Sequence, residues 1–223
     1  MRTKVKRIKT LQTRGQTQAI TETVEALAWM DRFVPWLLAI CGAIGAFAAL
    51  MLSIEEFHHI KHPGAQLACD INPIIGCGSA MDTWQGHVFF GAPNQFFGLA
   101  LFSGILTVGI ALLAGAQFKR WFWLMLQAGL SGGLLYSLWF IYQSVFVLKH
   151  LCPYCMIVWV VTFTAFWYVL LYGLKNEHLK LPAKYQRLVA FLQRHHFDLL
   201  AFSFLAVIAL ILWRFWYYFG SRL

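Results

Sequence analysis

Charge is what this chain lacks. Asp, Glu, Lys and Arg make up only 12% of its 223 residues, and nine of them are acidic, whereas soluble domains carry about 25% charged residues. Burial in a soluble core cannot account for a chain that is 60% hydrophobic and 17% aromatic. With a mean hydropathy of +0.62, the expected solvent for much of the chain is lipid. No small-residue cleavage site follows the first long apolar run, which begins near Phe33 behind the basic stretch MRTKVKRIKTLQTRG, so a cleaved leader is not expected. Cysteine is also scarce, but four of the five residues form two close pairs.

The net charge of +9 does not read as nucleic-acid binding, because the basic residues flank apolar runs. The pattern predicts an all-α polytopic membrane protein with five spans, Phe33–Ile54, Ala92–Ala116, Trp121–Leu148, Tyr154–Leu174 and Leu199–Phe219. Residues 1–32 read as a basic cytoplasmic segment, irregular over 1–20 and a short amphipathic helix over 21–32. Pro35 falls in the first turn of the first span, where a missing N–H costs least. A polar loop covers 55–91. Residues 175–197 form an amphipathic interfacial linker, with Leu188, Val189, Phe191 and Leu192 as its apolar positions. Residues 198–223 hold the fifth span, ending in the aromatic belt WRFWYYF. Gly42, Gly45, Gly129, Gly132 and Gly133 are expected where helices pack closely.

Orientation follows from Lys and Arg. Arg2, Lys4, Lys6, Arg7, Lys9 and Arg14 precede span one; Lys119 and Arg120 link spans two and three; Lys175, Lys180, Lys184, Arg187 and Arg194 link spans four and five. The 55–91 loop holds only Lys61, and the turn before span four only Lys149. Alternate connections are therefore basic. This places the N-terminus in the cytoplasm and both cysteine pairs on the opposite, oxidising side, where disulfides persist.

The strongest local signal is Cys152-Pro153-Tyr154-Cys155. Cysteines three apart at a helix start gain thiolate stabilisation from exposed backbone N–H groups, and Lys149 and His150 add positive or titratable charge nearby. A zinc site would need a second CxxC, and c-type haem attachment would need His where Met156 stands. Redox chemistry and a purely structural disulfide remain. Cys69 and Cys77 form the second pair, with DINPIIG between them; alone they read equally as a loop staple or a redox pair. Two pairs on one membrane face form a relay, because thiol–disulfide exchange needs only access and a thiolate. Cys41, in the inner half of span one, reads as a packing residue. His58, His59 and His62 read as a solvated loop rather than a metal site.

The order of these features resembles the vitamin K epoxide reductase family: the loop pair Cys69 and Cys77, then a hydroxyl residue at Thr83, then Gly91-Ala92-Pro93-Asn94-Gln95-Phe96-Phe97-Gly98, then Cys152-Pro153-Tyr154-Cys155. The resemblance covers 33–174 and implies a four-helix bundle around a quinone site, with the fifth span outside it. It implies that Cys69 exchanges with a partner, that Cys77 exchanges with Cys152, and that Cys155 lies nearest the quinone. It makes Asn94 a hydrogen-bond donor to a quinone carbonyl, although Asn at a helix start is equally a cap. Thr83, Phe97 and Trp159 complete the implied quinone site; no metal is implied. Two positions depart from the family: Thr83 replaces the usual serine, and Trp159 stands where many members have tyrosine. Some bacterial members carry a fused thioredoxin-like domain, so here the implied partner is a separate protein.

The expected function is quinone-dependent reoxidation of an extracytoplasmic thioredoxin-fold (DsbA-like) protein, with ubiquinone or menaquinone as co-substrate, in a bacterial cytoplasmic membrane. One rival is reduction of vitamin K or its epoxide. A DsbB-type arrangement has its CxxC before the distant pair, the reverse of the order here. The last rival is a transporter or assembly subunit with structural disulfides.

Overall fold

A computed structural model describes residues 29–62, 67–72, 74–176, 179 and 186–216, together with the helical backbone of 2–28. The chain is 81% helical, with no strand among the described residues. Helix α1 is Arg2–Lys61; α2 is the single turn Gly78–Met81, followed by a 3-10 turn at Trp84–His87; α3 is Asn94–Leu113; α4 is Arg120–Tyr142 and runs on into a π-helical stretch, Gln143–Leu148; α5 is Pro153–Lys175; α6 is Gln186–Arg194; and α7 is His196–Arg214. Five segments are long and apolar enough to cross a membrane: Trp29–Lys61, Asn94–Leu113, Arg120–Leu148, Pro153–Lys175 and His196–Arg214. Helices are the natural solution there, since hydrocarbon offers the backbone no other hydrogen-bond partners. The protein is an integral membrane protein with a four-helix core.

In that core α1 lies against α3 and α5, and α5 also carries α4. Val34, Leu38 and Cys41 of α1 are buried with Phe102 of α3, Leu130 of α4 and Ala165 of α5. Cys41 is thus a packing residue. Near the basic end, Lys175 Nζ reaches Asp31 Oδ2 at 2.7 Å, tying the end of α5 to α1. Helix α7 lies outside the core and buries none of its residues. It touches α5 and the π-helical stretch, and Trp167 Nε1 donates to the His196 carbonyl at 3.0 Å.

Several expectations change. The backbone is one continuous helix from Arg2 to Lys61, not an irregular tail followed by a separate helix. Residues 21–32 are rich in good helix formers that lead directly into the apolar run. Pro35 consequently lies inside α1, and the Asp31 carbonyl lacks the N–H it would otherwise receive from position 35. The outer loop starts after Lys61 rather than at residue 55, because the first helix breaker after the apolar run is Pro63-Gly64. Helix α3 stops short of the expected span end, as Gly115 at φ +90° turns the chain out of the helix. In the 175–197 linker, α6 is present, while residues 177, 178 and 180–185 lie outside the described residues, as do 217–223.

The glycines divide into two sets. A Cβ at Gly42 would run into the backbone of Leu106, one at Gly109 into the backbone of Ala39, and one at Gly45 into the Phe102 ring. These three let α1 and α3 approach closely, as expected for Gly42 and Gly45. Gly129 and Gly132 of α4 have nothing within 4 Å of such a Cβ. They do not seat a neighbouring helix; they leave space. Gly109→Ala should therefore destabilise the protein by roughly 1–3 kcal/mol through overpacking, while Gly104→Ala, whose methyl meets nothing within 4 Å, should leave the melting temperature in detergent unchanged. Equal losses would contradict the close α1–α3 approach.

Candidate redox site

Local backbone chemistry brings the two cysteine pairs together. Asp70 Oδ1 accepts from the Cys77 N–H at 2.9 Å, and its Oδ2 accepts from the Leu67 N–H at 3.3 Å. A Cβ at Gly76 would collide with that carboxylate, so glycine is needed where the loop folds over Asp70. Asn72 Oδ1 accepts from the N–H groups of Ile74 and Ile75 at 3.0 and 2.8 Å, a side-chain turn that spends the polar groups of the bend locally. The bend then binds the connection between α4 and α5. Leu151 N–H donates to the Ile74 carbonyl at 2.8 Å, and Gly76 N–H donates to the Leu151 carbonyl at 3.0 Å. Lys149, at φ +56°, turns the chain off the π-helical stretch so that Leu151 can make this bridge.

Each cysteine next to the bridge is thereby fixed. Cys69 and Cys77 are joined in a disulfide with Cα atoms 5.8 Å apart. Cys77 Sγ lies 3.4 Å from Cys152 Sγ. Cys152 and Cys155 are free thiols. Cys69, Cys77 and Cys152 are only 4%, 1% and 4% exposed, enclosed by Leu67, Met81 and Leu52. Cys152 caps α5: Pro153 occupies the first helical turn, where its missing N–H is harmless, and the Cys155 N–H donates to Cys152 Sγ at 3.4 Å.

Below the sulfurs lies a cavity of about 770 Å³ between α3 and α4, walled also by α1 and α5. Cys77, Cys152, Cys155, Asn94, Glu56 and Gln95 line it together with Tyr136, Ser137 and Thr162, and the rest of the wall is mainly aliphatic and aromatic. Gly129 and Gly132 line it, which is the space noted above. Leu101 and Met125 belong to the wall and are 63% and 65% exposed, so the cavity is continuous with the lipid-facing surface. Its size and apolar character suit a quinone ring with part of a hydrocarbon tail.

The residues expected at a quinone site take different places. Phe97 and Trp159 line the cavity, and Phe97 packs on Phe89 with ring centroids 5.0 Å apart. Asn94 also lines it, but its side chain is engaged locally: Oδ1 accepts from the Val88 N–H at 3.0 Å and Nδ2 donates to the Gln85 carbonyl at 2.6 Å. It holds the 3-10 turn against α3, and one Nδ2 hydrogen remains for another acceptor. Thr83 is not part of the wall; its hydroxyl donates to the Ala80 carbonyl at 3.1 Å. Residues that the sequence reading passed over are Glu56, Gln95 and Tyr136, all in the wall. Glu56 had a signal: it is one of nine acidic residues and follows an apolar run directly.

Cys152 has its thiol held below the ordinary range. The Cys155 side-chain hydrogen bond is the largest cause, burial opposes it, and the backbone N–H groups of Cys155 and Tyr154 reinforce it. In protein lacking Cys41, Cys69 and Cys77, thiolate absorbance should therefore begin to rise below the usual thiol value of about 8.5. Cys155→Ala should move that onset to higher pH by removing the donor. An onset unmoved by Cys155→Ala would contradict this origin.

The vitamin K epoxide reductase family model matches residues 36–170. The matched stretch takes in α1 from just beyond Pro35, both cysteine pairs, the cavity and nearly all of α5, and leaves α6 and α7 outside. The chain belongs to the vitamin K epoxide reductase family, a family of oxidoreductases.

Proposed function

We propose that the protein is a quinone-dependent thiol–disulfide oxidoreductase that reoxidises an extracytoplasmic thioredoxin-fold partner. The basic connections, at Lys119–Arg120 and Lys175–Arg194, face the cytoplasm of a bacterial-type membrane, and the cysteines face the other side. The observation that carries the reading is the 3.4 Å approach of Cys77 Sγ to Cys152 Sγ at the head of a lipid-continuous apolar cavity.

The electrons run as two thiol exchanges and one quinone reduction. The partner dithiol reduces the Cys69–Cys77 disulfide, with Cys69 meeting the partner. The Cys77 thiolate then attacks Cys152 of a Cys152–Cys155 disulfide. Cys69 next attacks Cys77, which closes Cys69–Cys77 and releases Cys152 and Cys155 as a reduced pair. The structure has the cysteine bonding of that last state, with the reduced pair beside the cavity. Quinone bound there takes two electrons and two protons and leaves as quinol. Phe97 and Trp159 flank its ring, and the remaining Asn94 Nδ2 hydrogen donates to a carbonyl where negative charge develops. Thr83 acts indirectly, through the turn it stabilises. A respiratory quinone pulls electrons out of thiols, so the net direction is disulfide formation.

The burial of Cys69 means that the 67–77 loop must shift for the partner to reach it, whereas the step from Cys77 to Cys152 needs no such opening. The test is quinone reduction by purified protein in lipid vesicles with dithiothreitol as thiol donor. Cys152→Ser and Cys155→Ser should each abolish turnover, and Gly129→Leu should reduce it by filling the cavity. Undiminished turnover in Cys152→Ser or Cys155→Ser would refute the reading.

A further inference from the structure

The thiolate chemistry leaves a proton unaccounted for. A Cys152 thiolate and a Cys155 thiol supply two electrons and one proton, since thiolates are the reacting form. Reducing a quinone to quinol consumes two electrons and two protons. The balance is Cys152 thiolate plus Cys155 thiol plus quinone plus one proton, giving the Cys152–Cys155 disulfide plus quinol. The second proton must enter a wall that is mostly hydrocarbon.

One buried acid stands in that wall. Glu56, in the last turns of α1, is 4% exposed and lines the cavity beside Gln95. Its Oε2 accepts from Gln95 Nε2 at 3.2 Å, and its Oε1 faces His87 Nε2 at 3.5 Å. The other ring nitrogen of His87 fixes the protonation pattern. Nδ1 lies 3.2 Å from the Thr83 carbonyl oxygen, which can only accept, so Nδ1 carries a hydrogen. A neutral His87 would then present a bare lone pair on Nε2 to a carboxylate oxygen. Those two lone pairs repel unless a proton sits between them, on the imidazole or on the carboxyl. The geometry therefore builds a pair that holds one transferable proton. The His87 side chain is 28% exposed, so the pair spans from the protein surface to the cavity.

We infer that the Glu56–His87 pair delivers the second proton to the reduced quinone and is reloaded from water on the cysteine side through His87. This rests on the quinone reading given above. After transfer Glu56 is a carboxylate and His87 is neutral with its hydrogen on Nδ1; a proton taken at Nε2 restores the starting state. Gln95 positions the carboxylate and carries no proton. Other titratable groups near the pair have their own partners: Glu55 accepts from the Ala68 N–H, and His59 pairs with Asp82 at 2.8 Å. Around the cavity the remaining ones are the cysteines and Tyr136.

Two readouts test the inference. In quinone-free micelles, nitrogen NMR of labelled histidine should show His87 with Nδ1 protonated and Nε2 carrying or sharing a proton. In E56Q at the same pH the Nε2 proton should be lost, because a neutral amide has no negative charge to hold a protonated imidazole and its N–H can donate to a bare Nε2. Bare Nε2 in both proteins would overturn the proposal. In vesicles with a short-chain quinone, E56Q and H87N should each slow turnover roughly a hundredfold, the low end of what a general acid contributes. H87N keeps an amide donor for the Thr83 carbonyl, and added imidazole should restore part of its rate, which a merely structural loss would not allow. E56Q turning over at the wild-type rate, or H87N deaf to imidazole, would overturn the proton route alone. Wild-type protein that reduces no quinone would overturn the quinone reading and this inference with it.

Discussion

The site depends on a short backbone bridge. Leu151 exchanges hydrogen bonds with Ile74 and Gly76, and one residue further along each segment stands a cysteine of a different pair. Residues 75 apart in sequence are thereby held with their sulfurs almost in contact, at the cost of ordering two loops. Each such bond contributes only about 1 kcal/mol net. The bend is also anchored by Asp70 and Asn72, so several modest terms act on the same few atoms. Rigid placement matters more here than raw stability, because exchange between sulfurs is sensitive to position and access.

The remainder of the bundle places that junction at the head of an apolar chamber. Close packing of α1 on α3 through Gly42, Gly45 and Gly109, and of α4 on α5, leaves α3 and α4 facing each other across the cavity. The cavity meets lipid on its side and the sulfurs at its end. Water-soluble thiol chemistry and lipid-soluble quinone chemistry can then share one set of atoms without mixing their phases. The only charged side chain in the cavity wall among the described residues is Glu56, and its His87 partner is partly exposed.

How much of this was legible in the sequence depended on the physics involved. The spans were plain because hydropathy over twenty residues is a summed quantity, and α4 with its π-helical continuation falls almost where the apolar run does. Boundaries set by single residues were harder: Gly115 cut α3 short, and Pro35 failed to start α1. The meaning of a glycine depends on what stands opposite, so Gly129 and Gly132 looked like packing positions and line a void instead. The CxxC and the loop pair were visible, but their proximity is a tertiary fact carried by Leu151, Ile74 and Gly76, none of which has a telling side chain. Asn94 was weighed as cap or quinone donor. It is the first residue of α3, and its side chain bonds Val88 and Gln85 ahead of the helix rather than the helix's own N–H groups, while it still lines the cavity. The pairing of Glu56 with His87 joins α1 to a 3-10 turn and left no pattern to read.

In the proposed route electrons cross from one cysteine pair to the other between Cys77 and Cys152. The most direct measurement uses protein in which Cys41, Cys69 and Cys155 are all serine, leaving Cys77 and Cys152 as its two cysteines. Mild oxidation in membranes, followed by mass spectrometry of the proteolysed chain, should yield the Cys77–Cys152 disulfide rapidly and within a single molecule. Recovery of both thiols unjoined, or disulfides formed only between molecules, would contradict the proposed route.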